Sequence, residues 1–347
     1  MRGYKAFEKG LICKGKQYAE NAVFEEEKAE ICNSGMHFCK YPLDVFDYYP
    51  LIDDKGSMSE FAEVEALDEC KTDDNRKYCT KKLKIGAKLN IIDFIKASIT
   101  ATHEIIENEV KEETKELKNN KKDKATLAGG DSAKLAGGYK ATLAGGNCTT
   151  LAGGDSAKLA GGESAKLVGG NWATLAGGNF AKLAGGDSAK LVGGNWAKLA
   201  GGDFAKLAGG NCTTLAGGNF AKLAGGDSAK LAGGDSAKLA GGYKAKLAGG
   251  DCAKLAGGDS AKLVGGNWAT LAGGDFAKLA GGKHSVMIGD SGSIAKGKKG
   301  SLIVIVEREW EDSEYVIKDY AAKIVDGETI KEDTFYKLEN GEFVEVR

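Results

Sequence analysis

Residues 125–156 read ATLAGGDS-AKLAGGYK-ATLAGGNC-TTLAGGDS, four copies of an eight-residue unit that runs without insertion or deletion from Ala125 to His284. In general form the unit is A-(K/T)-L-(A/V)-G-G-(D/N)-S, and twenty copies fill the segment. Position three is Leu in every copy, and Gly-Gly follows at a fixed distance. A period this short, with one invariant apolar site and one invariant turn, identifies a solenoid. Alternation points positions one and three inward and position two outward. Gly-Gly with Asp or Asn is expected to supply the positive-φ corner of each coil. Ala and Leu fill only a thin interior, which suits two narrow sheets packed back to back. Two octads per coil are therefore expected, giving about ten coils of about 16 residues and a length of about 48 Å at ~4.8 Å per coil. Trp172, Trp196 and Trp268 are separated by multiples of three octads, which fits a three-sided coil of three octads as the alternative.

Position eight is where the copies differ. It is often Ser, it is aromatic at Trp172, Phe180, Trp196, Phe204, Phe220, Trp268 and Phe276, and among the other copies it is a cysteine at three positions. By alternation these rings lie outside the core, as one column. Exposed aromatics on a rigid surface are the chain's candidate binding residues. Two uses compete: recognition of a protein partner, and self-association of rods as a homodimer.

Residues 1–88 read as an α+β domain. Runs at 4–7, 22–24, 61–67 and 81–89 have strand character, with period-two alternation clearest in 61–67. The segment from Cys32 to Pro50 reads as a turn, a short strand and a helix that starts near Pro42 and stops at Pro50. Residues 89–124 form an amphipathic linker helix capped by Asn90, with Ile91, Ile95, Ile99, Ile106 and Val110 at helical spacing. Residues 285–347 hold decaying repeats and then a small β-meander, with a turn at Asn340-Gly341, that caps the last coil against edge pairing.

Two kinds of chemistry are open in the N-terminal domain. Cys13, Cys32, His37 and Cys39 are ligand types that could converge on a metal such as zinc, although Cys-x4-His-x-Cys is not a standard zinc spacing. Buried thiols beside a strand histidine are the plainer reading. No cofactor is called for, and Gly289-Asp-Ser-Gly lacks the partners of a serine nucleophile.

The formal net charge of −1 hides a segregation. Residues 1–124 carry 22 Lys/Arg against 25 Asp/Glu, the octads 17 against 10, and residues 285–347 carry 9 against 14. A mildly basic rod between acidic ends is too weak a footprint for nucleic acid, and with four arginines in the chain bidentate phosphate recognition is disfavoured. The opening residues lack the apolar core of a signal peptide, and no stretch approaches the ~18 apolar residues of a membrane span. Eight irregularly spaced cysteines read as reduced thiols. A cytoplasmic protein without membrane contact is expected.

Three resemblances add to this reading. Gly35-Met-His-Phe-Cys, then Pro42, Tyr48-Tyr49 and the strand at 61–67, resemble the core of ADP-ribosyltransferases, which implies an enzyme confined to residues 1–88. The octad A-G-G-(D/N)-S is similar to the octapeptide repeats of bacterial ice-nucleation proteins, which implies a β-solenoid with two octads per coil. Ice templating would need Thr ladders where this chain has Lys in 14 of 20 copies. The widest likeness is to an uncharacterised phage- and prophage-encoded family. It rests on Gly3-Tyr-Lys-Ala-Phe, Cys32-x-x-Gly-x-His-x-Cys, Pro42-Leu-Asp-Val and Phe61-Ala-Glu-Val-Glu, followed by octads and Ser301-Leu-Ile-Val-Ile-Val-Glu-Arg-Glu-Trp310. It implies a bacterial or phage setting and no activity. The expectation is a mainly β, non-enzymatic scaffold: a solenoid with an N-terminal α+β domain, a linker helix and a C-terminal β cap.

Overall fold

The computed structural model describes the chain apart from residues 32, 53–57, 115–121, 312 and 347. It divides into two compact units, residues 1–101 and 102–347.

The first unit is built on a seven-stranded antiparallel sheet. Its strand order is Val23–Glu25, Lys82–Leu89, Glu60–Ala66, Arg2–Phe7, Met36–Cys39, Lys77–Thr80 and Cys70–Lys71. One core cluster of this unit gathers Phe7, Met36, Phe38, Val64, Leu83 and Ile85. A second apolar grouping stacks Phe61 on Phe94, centroids 4.1 Å apart, with Phe46 at 5.7 Å from each. The helix expected at Pro42 is a 3₁₀ helix, Pro42–Asp47, and Tyr48 already caps its end. Five of its six residues are buried, Leu43, Val45 and Phe46 among them, so packing rather than Pro50 sets its length.

Helix α1 spans Ile91–Glu113. Asn90 begins it as expected, its Oδ1 accepting a hydrogen bond from the Asp93 amide at 2.9 Å. The expected continuation of the helix through 115–121 lies outside the described residues. Within the second unit, Ile106 and Val110 are buried. One turn apart, Glu109 pairs with Lys182 at 2.7 Å and Glu113 pairs with Lys166. Glu113 also accepts a 2.5 Å hydrogen bond from the Thr150 hydroxyl.

The octads form a two-sided β-solenoid of about 11 turns over residues 126–305. Every repeat strand pairs in parallel with the strand two octads on, for example Leu175 with Leu191 and Leu183 with Leu199. The two-octad coil is therefore the observed one, and the three-octad alternative is excluded by this register. Alternate octads feed two separate sheets of 13 strands each. The first carries Thr126–Ala128, Thr142–Ala144 and so on; the second carries Lys134–Ala136, Thr150–Ala152 and so on. Between them lies one continuous core in which Ala173, Leu175, Ala181 and Leu183 are fully buried. Where position one is Thr, the buried hydroxyl of Thr149 or Thr213 donates to the carbonyl of Gly146 or Gly210, so no polar group is orphaned there.

The corner differs from expectation. No glycine of the octads has positive φ; the left-handed residue is position eight in all twenty copies, with Ser188 at 58°, Trp172 at 54° and Phe204 at 60°. The two glycines serve close approach instead. A Cβ on Gly185 would sit 2.7 Å from the Ala189 Cβ, and one on Gly186 would sit 2.1 Å from the Asn171 Oδ1. That oxygen belongs to a ladder: Asn171 Oδ1 accepts from the Asp187 amide at 2.8 Å, and Asp187 Oδ1 from the Asp203 amide at 2.9 Å. Position seven is Asp or Asn in 16 of the 20 copies, the exceptions being Tyr139, Glu163, Tyr243 and Lys283, because its side-chain oxygen bonds the next coil.

The coil also extends at both ends of the octads. Lys124 has the corner φ of 55°, and the Tyr139 amide bonds the Asp123 side chain. In the decaying repeats Met287 and Ala295 take the inward leucine place. The cap is two hairpins rather than one meander. Leu302–Glu311 with Glu314–Ile324 closes the first sheet, and Tyr336–Glu339 with Glu342–Glu345 closes the second. Each sheet thus ends on its own antiparallel hairpin.

Candidate functional site

The left-handed corner dictates where the position-eight side chains go. It follows the strand and points the residue away from the Ala/Leu interior. The seven aromatic candidates are all exposed, from 52% at Trp196 to 65% at Phe276. They form two columns, not the single one expected, because successive octads turn opposite corners. The edge after the first sheet carries Phe180, Trp196 and Phe276; the edge after the second carries Trp172, Phe204, Phe220 and Trp268.

Within a column, side chains on consecutive coils face one another. Phe204 and Phe220 stack at 5.0 Å with planes 4° apart, Phe180 and Trp196 at 6.4 Å and 10°, and Trp268 and His284 at 4.4 Å and 22°. Where the aromatic run ends, Phe276 lies over Gly292 and His284 over Gly300. A Cβ on either glycine would fall within 2.6 Å of the ring above it. The rungs give flat apolar ledges on a frame fixed by main-chain and Asx hydrogen bonds.

The first unit holds a second candidate. A cavity of about 370 Å³ is lined by residues that include Cys13, His37 and Cys39 together with Tyr18, Tyr48 and Tyr49. Four lysines and one carboxylate, Lys5, Lys14, Lys16, Lys77 and Glu26, make its wall basic. Glu26 is engaged twice, by Lys16 at 2.8 Å and by the Gly35 amide at 3.0 Å. Lys5 is 5% exposed, and its ammonium donates to the His37 carbonyl at 2.8 Å and lies 5.5 Å from the Phe7 ring.

Burial and then the charges of Lys5, Lys77 and Lys14 hold the His37 imidazole below its ordinary pKa, so it is neutral at pH 7. Burial likewise pushes the Tyr48 phenol up to about 12. The Tyr49 hydroxyl donates to Cys13 Sγ at 2.9 Å. Neutral His37 beside phenols and ammonium groups can exchange protons with an anionic guest or hydrogen-bond it.

Of the four metal-ligand candidates, the fold brings Cys13, His37 and Cys39 to this one cavity, and Cys32 lies outside the described residues. Among the described residues no group of three His, Cys, Asp or Glu side chains is placed to hold a metal ion. Sequence reasoning missed the lysines of the wall. Lys5 carried a signal: it is a charged residue inside an otherwise apolar strand run, Ala6-Phe7 following it. Among the described residues no helix is long and apolar enough to cross a membrane.

Residues 1–97 are similar to a family described as a domain of unknown function (DUF7666), a span that coincides closely with the first compact unit. No curated protein and no solved structure matches the chain.

Proposed function

We propose that this protein is a non-enzymatic repeat scaffold of phage or prophage type, acting in the bacterial cytoplasm, that captures a protein partner on the aromatic ledges of its solenoid. One observation carries the reading. Seven bulky rings occupy a left-handed backbone position that disfavours them by about 1–2 kcal/mol each, yet they stay more than half exposed. Ser132, Ser188 and Ser236 close the same corner without a ring, so coil closure does not call for aromatics. Side chains that stabilise the isolated chain so little are explained by what they bury when a partner arrives, and Trp and Phe are typical anchors of such contacts.

The test replaces Trp172, Trp196 and Phe204 together with Ser and follows capture of the native partner alongside oligomeric state. Loss of capture with unchanged oligomeric state supports the proposal. Loss of a dimer transfers these residues to a self-associating structural rod. No change in either measurement removes both readings.

The cavity of the first unit favours a second reading, an enzyme of ADP-ribosyltransferase type confined to the N-terminal domain. Under it His37→Ala abolishes activity while the triple aromatic variant leaves activity intact.

A further inference from the structure

Position two of the octad is the outward residue of each strand, and on the first sheet it builds a ladder of like charge. Lys190, Lys206, Lys222, Lys238 and Lys254 are direct neighbours in consecutive parallel strands, about 4.8 Å apart. All five are exposed, and among the described residues none of their ammonium groups makes a hydrogen bond or ion pair. The outward position-four residues beside them are Ala or Val, with Val192 54% exposed, so this stretch of the face carries no carboxylate. Like charges set directly opposite across strands destabilise a sheet.

The second sheet has the same ladder, and there part of it is in use. Glu109 and Glu113, one helical turn apart on α1, are received by Lys182 and Lys166, which sit one coil apart. Thr150 on the preceding strand adds its hydroxyl. The match is metrical. Four helical residues rise about 6 Å against about 4.8 Å per coil, a difference that flexible lysine tails absorb. Ile106 and Val110, three residues before Glu109 and Glu113 respectively, are buried. The solenoid thus receives an acidic helix of its own chain through the position-two ladder.

We propose that the open lysine ladder of the first sheet is the receptor for an acidic amphipathic helix of a partner protein, with glutamates at i and i+4 spacing. Five lysines span about 19 Å, the length of about 13 helical residues. Apolar residues of that helix meet Phe204 and Phe220, at the corners that lead into the Lys206 and Lys222 strands, and Trp196, on the edge following Lys190. The inference rests on the scaffold reading above and assigns the chemistry of the partner.

The experiment uses the full chain and a fluorescent, hydrocarbon-stapled peptide of about five helical turns with Glu at every fourth position and Leu beside each Glu. The control has the same composition with alternating D and L residues, which prevents helix formation. The stapled peptide is expected to bind, to weaken with added salt, and to lose at least about tenfold in affinity on Lys206→Glu, Lys222→Glu and Lys238→Glu combined. Circular dichroism of that variant checks that the coil persists, as exposed positions allow.

No binding at low salt, equal binding of the non-helical control, or indifference to charge reversal overturns the inference. The two proposals fail separately. A native partner that needs Trp172, Trp196 and Phe204 but not the lysines contradicts the helix receptor alone. Lysine-dependent peptide binding, with native capture indifferent to the aromatic variant, contradicts the aromatic-ledge reading alone.

Discussion

At position eight the backbone is left-handed whether the residue is Ser156, Lys140, Cys212 or Trp268, so the side chain there is free to vary while the conformation is not. The octad glycines show the opposite behaviour: none has a left-handed φ, and between stacked coils it is their missing Cβ that is indispensable. Gly186→Ala forces a methyl group onto Asn171 Oδ1 and into the Asx ladder, a clash of the kind that costs about 1–3 kcal/mol. Gly130→Ala, in the first coil, meets nothing within 4 Å and should be close to neutral. Denaturation midpoints of the two variants check the contrast, and equal midpoints would refute it.

The octad names Gly-Gly plainly, but glycine answers two needs, φ freedom and close approach. The sequence alone does not distinguish them; the coil-to-coil stacking distance does. The outward direction of position eight was legible from alternation, whereas the split into two columns required the coil size.

Asp275 belongs to the same scale. Burial, then Asp290 and Asp259, push its carboxyl above the usual range. Its proton affinity is thus higher in the fold than in the unfolded chain, so the ionised form destabilises the coil at neutral pH, and the effect fades as pH falls through the folded value. Asp275→Asn keeps the amide-accepting oxygen and removes the charge. The variant should unfold at higher denaturant concentration than the parent at pH 7, and the two should coincide near pH 3.

At the scale of elements, the docking of α1 is partly ionic. Burial disfavours the charge on Glu113, but Lys166 and the Thr150 hydroxyl outweigh it and hold the carboxyl below its usual range. The stabilisation is present above the unfolded carboxylate pKa of about 4.3 and is lost as pH falls through the lower folded value. A partly exposed pair contributes up to about 1 kcal/mol. Glu113→Gln should therefore weaken hydrogen-exchange protection of the amides at 106–113 at pH 7. Below about pH 4 the parent should approach the variant. Unchanged protection would mean that apolar burial alone seats the helix.

The helix itself was readable from Asn90 and its isoleucine spacing. Its ionic partners were not, because Glu109, Glu113, Lys166 and Lys182 look like ordinary solvated charges until the lysine column is known to lie one coil apart. Lys77–Thr80 and Cys70–Lys71 escaped notice for a related reason: short polar strands carry no alternation, and their order comes from pairing, Lys77–Thr80 with Met36–Cys39 and Cys70–Lys71 with Lys77–Thr80.

For the solenoid as a whole, one period sorts every side chain. With two octads per coil, leucines stack on leucines inside, lysines form one ladder per sheet, and position eight divides between two edges. The hairpins that end each sheet cover the last unpaired edge strands. The thin Ala/Leu interior made two sheets readable from the octad, while the three-octad spacing of the tryptophans left the period open. That spacing has no structural counterpart in the coil, since Trp172 and Trp196 fall on opposite edges.

The aromatic ledges and both lysine ladders all depend on this period, so it is the quantity to measure. Spin labels at Ser132→Cys and Ser260→Cys, in a background cleared of other reactive thiols, lie on the same edge sixteen octads apart. A pulsed electron-resonance distance of about 38 Å, eight coils at ~4.8 Å each, is the predicted result. A distance of about 26 Å, as three octads per coil would give, would contradict the two-sheet architecture and every surface derived from it.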